Sequence, residues 1–161
     1  MVIMAAHPAV LVTGMSGVGK STVLTELSRR GCATVDTDDD GWIDVVDGEP
    51  MWREPAIDEL LARPRGLPLI VGGTVVNQGR FYGQFDAVVL LSAPIDVVLS
   101  RIDRRTNNPF GKSVLERARV LADIADVEPL LRQAATHEVE TDRPLIDVVD
   151  AVAGIVDALP R

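Results

Sequence analysis

Residues 14–21, with the sequence GMSGVGKS, combine residue types and a spacing that can bind phosphate groups. They satisfy the pattern G-x-x-x-x-G-K-[ST], which defines the phosphate-binding loop, or P-loop. The backbone N–H groups of such a loop converge on phosphate oxygens, and its glycines allow close approach and positive φ angles. The sequence therefore predicts that a nucleotide binds to Gly14, Met15, Ser16, Gly17, Val18, Gly19, Lys20, Ser21 and Thr22.

Two side chains of the P-loop have roles that their chemistry predicts. The Lys20 ammonium group can bridge the β and γ phosphates of a nucleotide, and the Ser21 hydroxyl can hold Mg²⁺. We therefore expect ATP and Mg²⁺ to be the cofactors, and we expect Lys20 to take part in catalysis.

This chemistry requires a P-loop held between a buried strand and the N-terminus of a helix. The apolar run 9–13 and the helical pattern 20–30 lie on its two sides. Strands that alternate with helices along the rest of the chain predict βαβ units, and hence an α/β fold with a mostly parallel sheet. The further strand candidates are 33–36, 69–71, 87–91 and 138–141, and the further helix candidates are 55–62, 95–105, 145–159 and 114–135, which Pro129 should kink or restart.

Length and composition limit the class of protein. The chain has 161 residues, 47% hydrophobic and 25% charged, which predicts a single domain over residues 1–161. Its formal net charge of −8 argues against nucleic acid or an anionic membrane as a partner. Cys32 is the one cysteine, so no intramolecular disulfide is possible, and the N-terminal residues resemble neither a signal peptide nor an anchor. We expect a cytoplasmic protein, either a monomer or a weak homodimer.

Several stretches beyond the P-loop resemble a known family. In chain order they are Val35-Asp36-Thr37-Asp38, Trp52-Arg53-Glu54, Ile70-Val71-Gly72-Gly73-Thr74, and then Arg105 and Lys112. Over nearly the whole chain, this order resembles shikimate kinase and its relatives among the small P-loop kinases, which include adenylate and gluconate kinases. The resemblance implies a three-layer α/β/α P-loop NTPase fold, with a central five-stranded parallel sheet and a short lid at about residues 105–113.

The resemblance also implies roles on the acceptor side of the site. Asp36 would orient the Mg²⁺ shell together with Ser21, and Asp38 would accept a hydrogen bond or a proton from the acceptor hydroxyl. Arg53 would bind the acceptor, against which Gly72 and Gly73 would lie. The alternative for the acidic segment, that it is a solvated loop, stays open.

On the nucleotide side, the resemblance implies that Arg105 covers the adenine and that Lys112 reaches the transferring phosphate. Together with Lys20, both are expected to act in catalysis by neutralising charge on the transferring group. Arg143 would belong to the adenine-side loop before the last helix. The turn-forming residues 107–109 and Gly111 are expected to make the lid mobile. Two further questions stay open: Arg101 belongs either to the lid or to a helix surface, and Asn77 and Gln78 bind either acceptor hydroxyls or a local turn.

Three departures from the family pattern indicate a different acceptor. Thr74 stands where the family has a third glycine, and Lys112 replaces a lid arginine, which loses the bidentate geometry. Shikimate kinases also carry an acceptor-binding arginine shortly before the Pro-Leu pair of the post-lid helix. Here Val127 and Glu128 precede Pro129 and Leu130, so half of the carboxylate-binding pair is missing.

Charge gives a second indication about the acceptor. The segment 36–49 has seven acids and no Lys or Arg. A neutral polyol, sugar or nucleoside, or a cationic amino sugar, fits this field better than a phosphate or a dicarboxylate. Trp42, Trp52, Phe81 and Tyr82 could stack on an acceptor ring, or they could pack in the core.

The sequence therefore predicts an Mg²⁺-dependent kinase that moves the γ-phosphoryl group of ATP to a hydroxyl of a small metabolite. A nucleoside monophosphate kinase is the alternative within the enzymes. The alternative from another class is a nucleotide-binding regulatory module, in which ATP or GTP reshapes a partner surface. A GTPase-type switch normally has an acid at the end of its third strand. The strand candidate 69–71 and the two glycines after it contain none, which favours the enzyme.

Overall fold

The computed structural model describes residues 7–106 and 110–160. The strands are β1 (Ala9–Thr13), β2 (Ala33–Asp36), β3 (Ile43–Val46), β4 (Glu49–Trp52), β5 (Leu69–Gly72), β6 (Ala87–Ser92) and β7 (His137–Glu140). The helices are α1 (Lys20–Arg29), α2 (Glu54–Ala62), α3 (Ile95–Arg104), α4 (Val114–Asp126), α5 (Glu128–Ala134) and α6 (Leu145–Ala158), and residues Gln78–Gln84 form a 3₁₀-helix.

Five parallel strands form the main sheet in the order β2-β5-β1-β6-β7, which confirms the predicted fold class. Strand β1 lies at its centre, with Val10 opposite Ile70 on one side and Ala87 on the other. All five residues of β1 are buried, as expected for a strand covered on both faces. The loop after β1 therefore begins in the middle of the carboxyl edge of the sheet.

Helices and the hairpin cover the two faces of this sheet. Val10 and Val12 pack in one apolar cluster with residues of α1 and α6. The alternate residues Ala9 and Leu11 pack in a second cluster with Ile57 of α2 and with Trp52. Since successive side chains of a strand point to opposite faces, the two clusters lie on opposite sides of the sheet, which gives three layers.

Proline divides the predicted helix 114–135 where the sequence indicated. Helix α4 ends at Asp126, and α5 begins at Glu128, with Pro129 in its first turn. Ser113 caps α4 by accepting a hydrogen bond from the Glu116 N–H at 3.1 Å. In the part of the chain that the structure describes, no helix is both long enough and apolar enough to cross a membrane.

The antiparallel hairpin β3–β4 was not predicted from the sequence. Its two-residue turn is Asp47-Gly48, and both residues have positive φ, 52° and 78°. Asp-Gly at such a turn is a strong hairpin signal. The acidic residues obscured the strand pattern, and of the apolar residues in these two strands only Trp52 is buried, while Ile43 and Met51 are half-buried.

Candidate active site

A cleft of about 860 Å³ runs along the carboxyl edge of the main sheet. The P-loop, Gly14 to Ser21, lies on its floor because it follows the central strand β1. The segments after β2 and β5 lie on one side of the P-loop, and those after β6 and β7 lie on the other. Ligands of open parallel sheets bind at such a point, and the volume suits a nucleotide together with a small molecule.

The backbone of the P-loop depends on its glycines. Gly17 and Gly19 have φ of 86° and 100°, in the left-handed region that favours glycine. A side chain at Gly14 would lie 2.5 Å from the Leu91 carbonyl oxygen and 2.8 Å from Val18. Helix α1 begins at Lys20, directly after Gly19, so its N-terminal N–H groups open into the cleft.

Lys20 crosses the P-loop from the first turn of α1. Its Nζ donates to the Gly14 carbonyl oxygen at 2.5 Å and to that of Met15 at 3.3 Å. Burial lowers the pKa of Lys20 to about 8, against the opposing effect of Asp38 and Asp36, and Arg105 lowers it further. The ammonium group is thus positioned at the phosphate-binding backbone, with its charged form destabilised by its surroundings.

This lowered pKa predicts how nucleotide binding depends on pH. A bound phosphate stabilises the charged lysine, so its pKa rises on binding; affinity is then full below about pH 8 and falls as pH rises above that value. The nucleotide phosphates are already ionised in that range, so they add no further pH dependence to the affinity. Calorimetric titration of ADP without added metal, over this range, measures the effect. A Lys20→Met variant is the control, and an affinity that stays flat well above this pH contradicts the assignment.

Ser21 and Asp36 lie together beside the P-loop. The Ser21 hydroxyl donates to Asp36 Oδ2 at 2.6 Å, although the two residues are 15 positions apart and belong to α1 and β2. Mg²⁺ in nucleotide sites takes one or two protein oxygens and completes its shell with phosphates and water. This hydroxyl–carboxylate pair has the oxygen donors that such a site needs, and the structure brings together the two predicted metal ligands.

Asp38 reaches the cleft two residues beyond Asp36. Its backbone N–H donates to Asp36 Oδ1 at 3.1 Å, which fixes the turn between the two acids. Partial desolvation raises the pKa of the Asp38 carboxyl, the Asp36 carboxylate adds to this, and Lys20 opposes it. Asp38, Asp39 and Asp40 are all exposed, but only Asp38 lines the cleft, on the same side as the segment after β5.

Six residues form one wall of the cleft, which we call the acceptor-side wall: Asp38, Glu49, Pro50, Thr74, Val75 and Val76. Two of them are acids, three are apolar, and none is a lysine or an arginine. Gly73 lies just behind it, where a side chain would collide with the Thr37 hydroxyl, and a side chain at Gly72 would meet Leu24. Thr37 is itself held by the Gly72 carbonyl and the Trp52 indole N–H. Gly72 therefore lets Leu24 of α1 pack against β5, and Gly73 lets the segment after β2 approach the end of β5.

Arg53 lies apart from this wall. Its Nε donates to Asp44 Oδ1 at 2.9 Å, and the pair lines a separate hollow beside the hairpin. Trp52 and Phe81 pack in the core, which is one of the two alternatives that the sequence left open for the aromatic residues. Both are buried, and their ring centroids lie 5.7 Å apart in an edge-to-face arrangement. Asn77 bonds to both backbone groups of Trp52, so it fixes the hairpin instead of facing the cleft.

Arg105 and Arg143 line the other side of the cleft. Arg105 Nη1 donates to the Ser16 hydroxyl at 3.3 Å, and Nη2 donates to the Phe110 carbonyl at 2.5 Å. Burial lowers the pKa of Arg105. Lys112 does not line the cleft; its Nζ donates to the Arg105 carbonyl at 2.5 Å. Residues 107–109 of the predicted lid lie outside the described part of the chain.

Arg101 is a site residue whose role the sequence left open. It donates to the Thr141 hydroxyl at 2.7 Å and to the Val18 carbonyl at 3.3 Å, which joins the loop after β7 to the P-loop. Arg101 lies in the last turn of α3 and Arg105 directly follows that helix, so their spacing of four could have predicted that both lie at the same helix end. Arg119 of α4 also lines the cleft, and no sequence pattern marks it.

A family model and curated relatives each match most of this chain. A family model described as an AAA domain matches residues 10–122. The chain is 32% identical over 147 residues to the shikimate kinase of Halorhodospira halophila, with 82% of this chain and 83% of that protein covered. It is 33% identical over 159 residues to the shikimate kinase of Acinetobacter baylyi, with 84% of each covered.

Two solved structures share the fold. The shikimate kinase of Acinetobacter baumannii in complex with shikimate has a TM-score of 0.69 at 22% identity, and 94% of each chain is covered. A gluconokinase from Sinorhizobium meliloti 1021 has a TM-score of 0.60 at 20% identity, with 97% of this chain and 95% of that chain covered. Because both sequence identities are low, these two structures show that the fold is shared and nothing more.

Proposed function

The chain belongs to the shikimate kinase-like small P-loop kinases, and we propose that it transfers the γ-phosphoryl group of ATP to a hydroxyl of a small acceptor other than shikimate. Its enzyme class, small-molecule kinase, follows from that family. The observation that carries the proposal is the convergence of Lys20, the Ser21–Asp36 pair and Asp38 beside one cleft.

Each of these residues has one part in the proposed reaction. Ser21 and Asp36 hold Mg²⁺, which when bound neutralises charge on the phosphates. Lys20 and Arg105 contribute positive charge around the transferring group, where a loose transition state spreads negative charge over its oxygens. Asp38 orients the acceptor hydroxyl and accepts its proton. Lys112 supports Arg105 through the Arg105 carbonyl, and Arg143 bounds the nucleotide side of the cleft.

The charge of the acceptor-side wall supports a neutral or cationic acceptor. Asp38 and Glu49 would repel a carboxylate bound beside them. Arg53, whose family role is to bind the acceptor carboxylate, pairs instead with Asp44 outside the cleft. Val127 lines the cleft near the position at which the family has a second arginine. A polyol, sugar, nucleoside or amino sugar fits this wall better than shikimate, gluconate or a nucleotide.

A panel of acceptors tests both parts of the proposal. ADP release from ATP and Mg²⁺ is measured with glucosamine, glucose and gluconate, which share a carbon chain and differ in charge. Shikimate, nucleosides, nucleoside monophosphates and other amino sugars complete the panel, and Lys20→Met is the blank. We expect stimulation by a neutral or cationic compound, absent in the blank.

The other outcomes are equally informative. Stimulation by shikimate or gluconate alone would contradict the acceptor class while leaving the kinase in place. Stimulation by a nucleoside monophosphate would indicate the nucleotide kinase. Tight nucleotide binding without stimulation by any compound would contradict phosphotransfer and favour the regulatory module.

A further inference from the structure

A chain of hydrogen bonds runs from the 3₁₀-helix to the first carbonyl of the P-loop. Gln78 Nε2 lies 3.1 Å from the Thr13 hydroxyl, which lies 3.0 Å from the Thr74 hydroxyl. The Thr74 hydroxyl in turn donates to the Gly14 carbonyl oxygen at 2.6 Å and accepts from the Gly14 N–H at 3.2 Å. Gln78 and Thr13 are almost wholly buried, so water does not compete for these groups.

The direction of each bond follows from the chemistry of the groups. The amide nitrogen of Gln78 can only donate, so Thr13 accepts from it and has its single proton left for Thr74. The Thr74 hydroxyl then donates its own hydrogen bond to the Gly14 carbonyl. Gln78 is fixed in place because its Oε1 accepts from the Val75 N–H at 2.8 Å and its Nε2 also donates to the Tyr82 hydroxyl at 3.0 Å. Each donor therefore polarises the next.

The Gly14 carbonyl accepts from two donors at once. Lys20 Nζ lies at 2.5 Å and the Thr74 hydroxyl at 2.6 Å from the same oxygen. The ammonium group has three N–H donors, so Lys20 can keep its bonds to the Gly14 and Met15 carbonyls and still donate to a phosphate. The position of Lys20 therefore depends on the position of the Gly14 carbonyl, which the Thr74 hydroxyl helps to fix.

We propose that Thr74 is a positioning residue: its hydroxyl holds both backbone groups of Gly14, and thereby fixes the start of the P-loop and the carbonyl that positions Lys20 for the phosphates of the nucleotide. The inference rests on the nucleotide-binding half of the proposed function and not on the acceptor. Thr74 replaces the third glycine of the family pattern, and glycine has no hydroxyl to offer. The departure from the pattern thus gives this chain a contact of its own between the segment after β5 and the P-loop.

The test measures binding of ATP with Mg²⁺ by calorimetry in Thr74→Val, which keeps the shape and removes the hydroxyl. We expect affinity to fall about tenfold, which corresponds to about 1.4 kcal/mol. Thr74→Ser restores the hydroxyl and should bind within about twofold of the wild type. Adenosine, tested as a competitor, has no phosphate for Lys20, and its affinity should be unchanged in Thr74→Val; general damage to the site would weaken both.

Thr136 offers a matched control. Its hydroxyl also bonds to both backbone groups of one residue, Val88, at 2.9 and 3.1 Å, but it precedes β7 at the opposite edge of the sheet. Thr136→Val should leave ATP affinity unchanged. If Thr74→Val does not fold, Thr74→Ala is used instead, because it also removes the hydroxyl. Thr74 is only half-buried, so the smaller side chain should leave little empty space.

Three results would overturn the proposal: ATP affinity in a folded Thr74→Val equal to that of the wild type, Thr74→Ser as weak as Thr74→Val, or an equal loss of adenosine affinity. The proposed function fails separately, because a wild type that binds ATP without phosphorylating any acceptor leaves this test intact. A wild type that does not bind ATP overturns both.

Discussion

Replacing Lys20 with methionine lowers the rate of phosphoryl transfer by at least about 10³-fold, because the transition state loses a positive charge held against the transferring group. Methionine keeps most of the volume of the side chain and loses the ammonium group, so the effect reports charge more than packing. The loss is measured as the rate of ADP release in the presence of the acceptor that gives the highest wild-type rate. Arg30→Met is a matched control, because Arg30 pairs with Asp150 at the surface and away from the cleft.

The same substitution should raise the stability of the fold. The pKa of Lys20 is about 8 in the folded protein and near 10.5 in an unfolded chain. Between these values the unfolded chain binds more protons, so the free energy of unfolding of the wild type increases with pH across that window. Below the window the full cost of charging a buried lysine is present, and methionine removes it. The Gly14 carbonyl keeps its bond from Thr74 in the variant.

Thermal melts of wild type and Lys20→Met across this pH window measure the effect. We expect the variant to melt at a higher temperature at neutral pH, and we expect the difference to shrink as pH approaches 10.5. A variant that is less stable at neutral pH would show that the lysine stabilises the loop through its two carbonyl bonds by more than its burial costs.

Replacing Asp38 with asparagine has the second large effect: transfer falls by about 10³-fold while nucleotide binding survives. Asparagine has the same shape and can still accept a hydrogen bond, but it cannot take the proton of the acceptor hydroxyl. Nucleotide affinity should be equal or slightly higher, because a negative charge near the phosphates is removed. Transfer at saturating ATP and the affinity for ATP are measured on the same preparation.

Asp40→Asn is the matched control for that variant, because Asp40 is an exposed acid of the same turn and does not line the cleft. The pH profile adds a second check. The raised pKa of Asp38 means that the wild-type rate should fall as pH drops through that value, since the protonated acid cannot accept a proton. Transfer that survives in Asp38→Asn would show that another group aligns the acceptor.

Local pattern was enough to predict the elements that build the cleft. The run 9–13 and the glycines of the P-loop fix a strand, a turn and a helix start within about twenty residues, because each depends on backbone conformation and burial period alone. Pro129 divided a helix where predicted, since a proline ring affects its own neighbourhood. The hairpin at Asp47-Gly48 was equally local, and its turn signal could have been used.

Pairings between distant residues were harder to predict. Arg53 matches a family motif in sequence, yet its partner is Asp44 across the hairpin, and the hairpin itself had not been predicted. The role of Lys112 at the transferring phosphate stays a prediction, and the motif does not indicate the bond that its Nζ donates to the Arg105 carbonyl. Both depend on where a neighbouring segment lies, which is information that the motif does not contain.

The sequence by itself determined that this protein has a P-loop on a parallel sheet, and it named Lys20, Ser21, Asp36 and Asp38 as the residues to examine. The tertiary structure alone decided which of them meet and what else joins them. Thr74 contacts Gly14 across 60 positions of the chain, because β5 pairs with β1 and their ends therefore share one edge. Periodicity and motif describe a residue's neighbours along the chain, whereas contacts of this kind exist only after the strands have taken their order in the sheet.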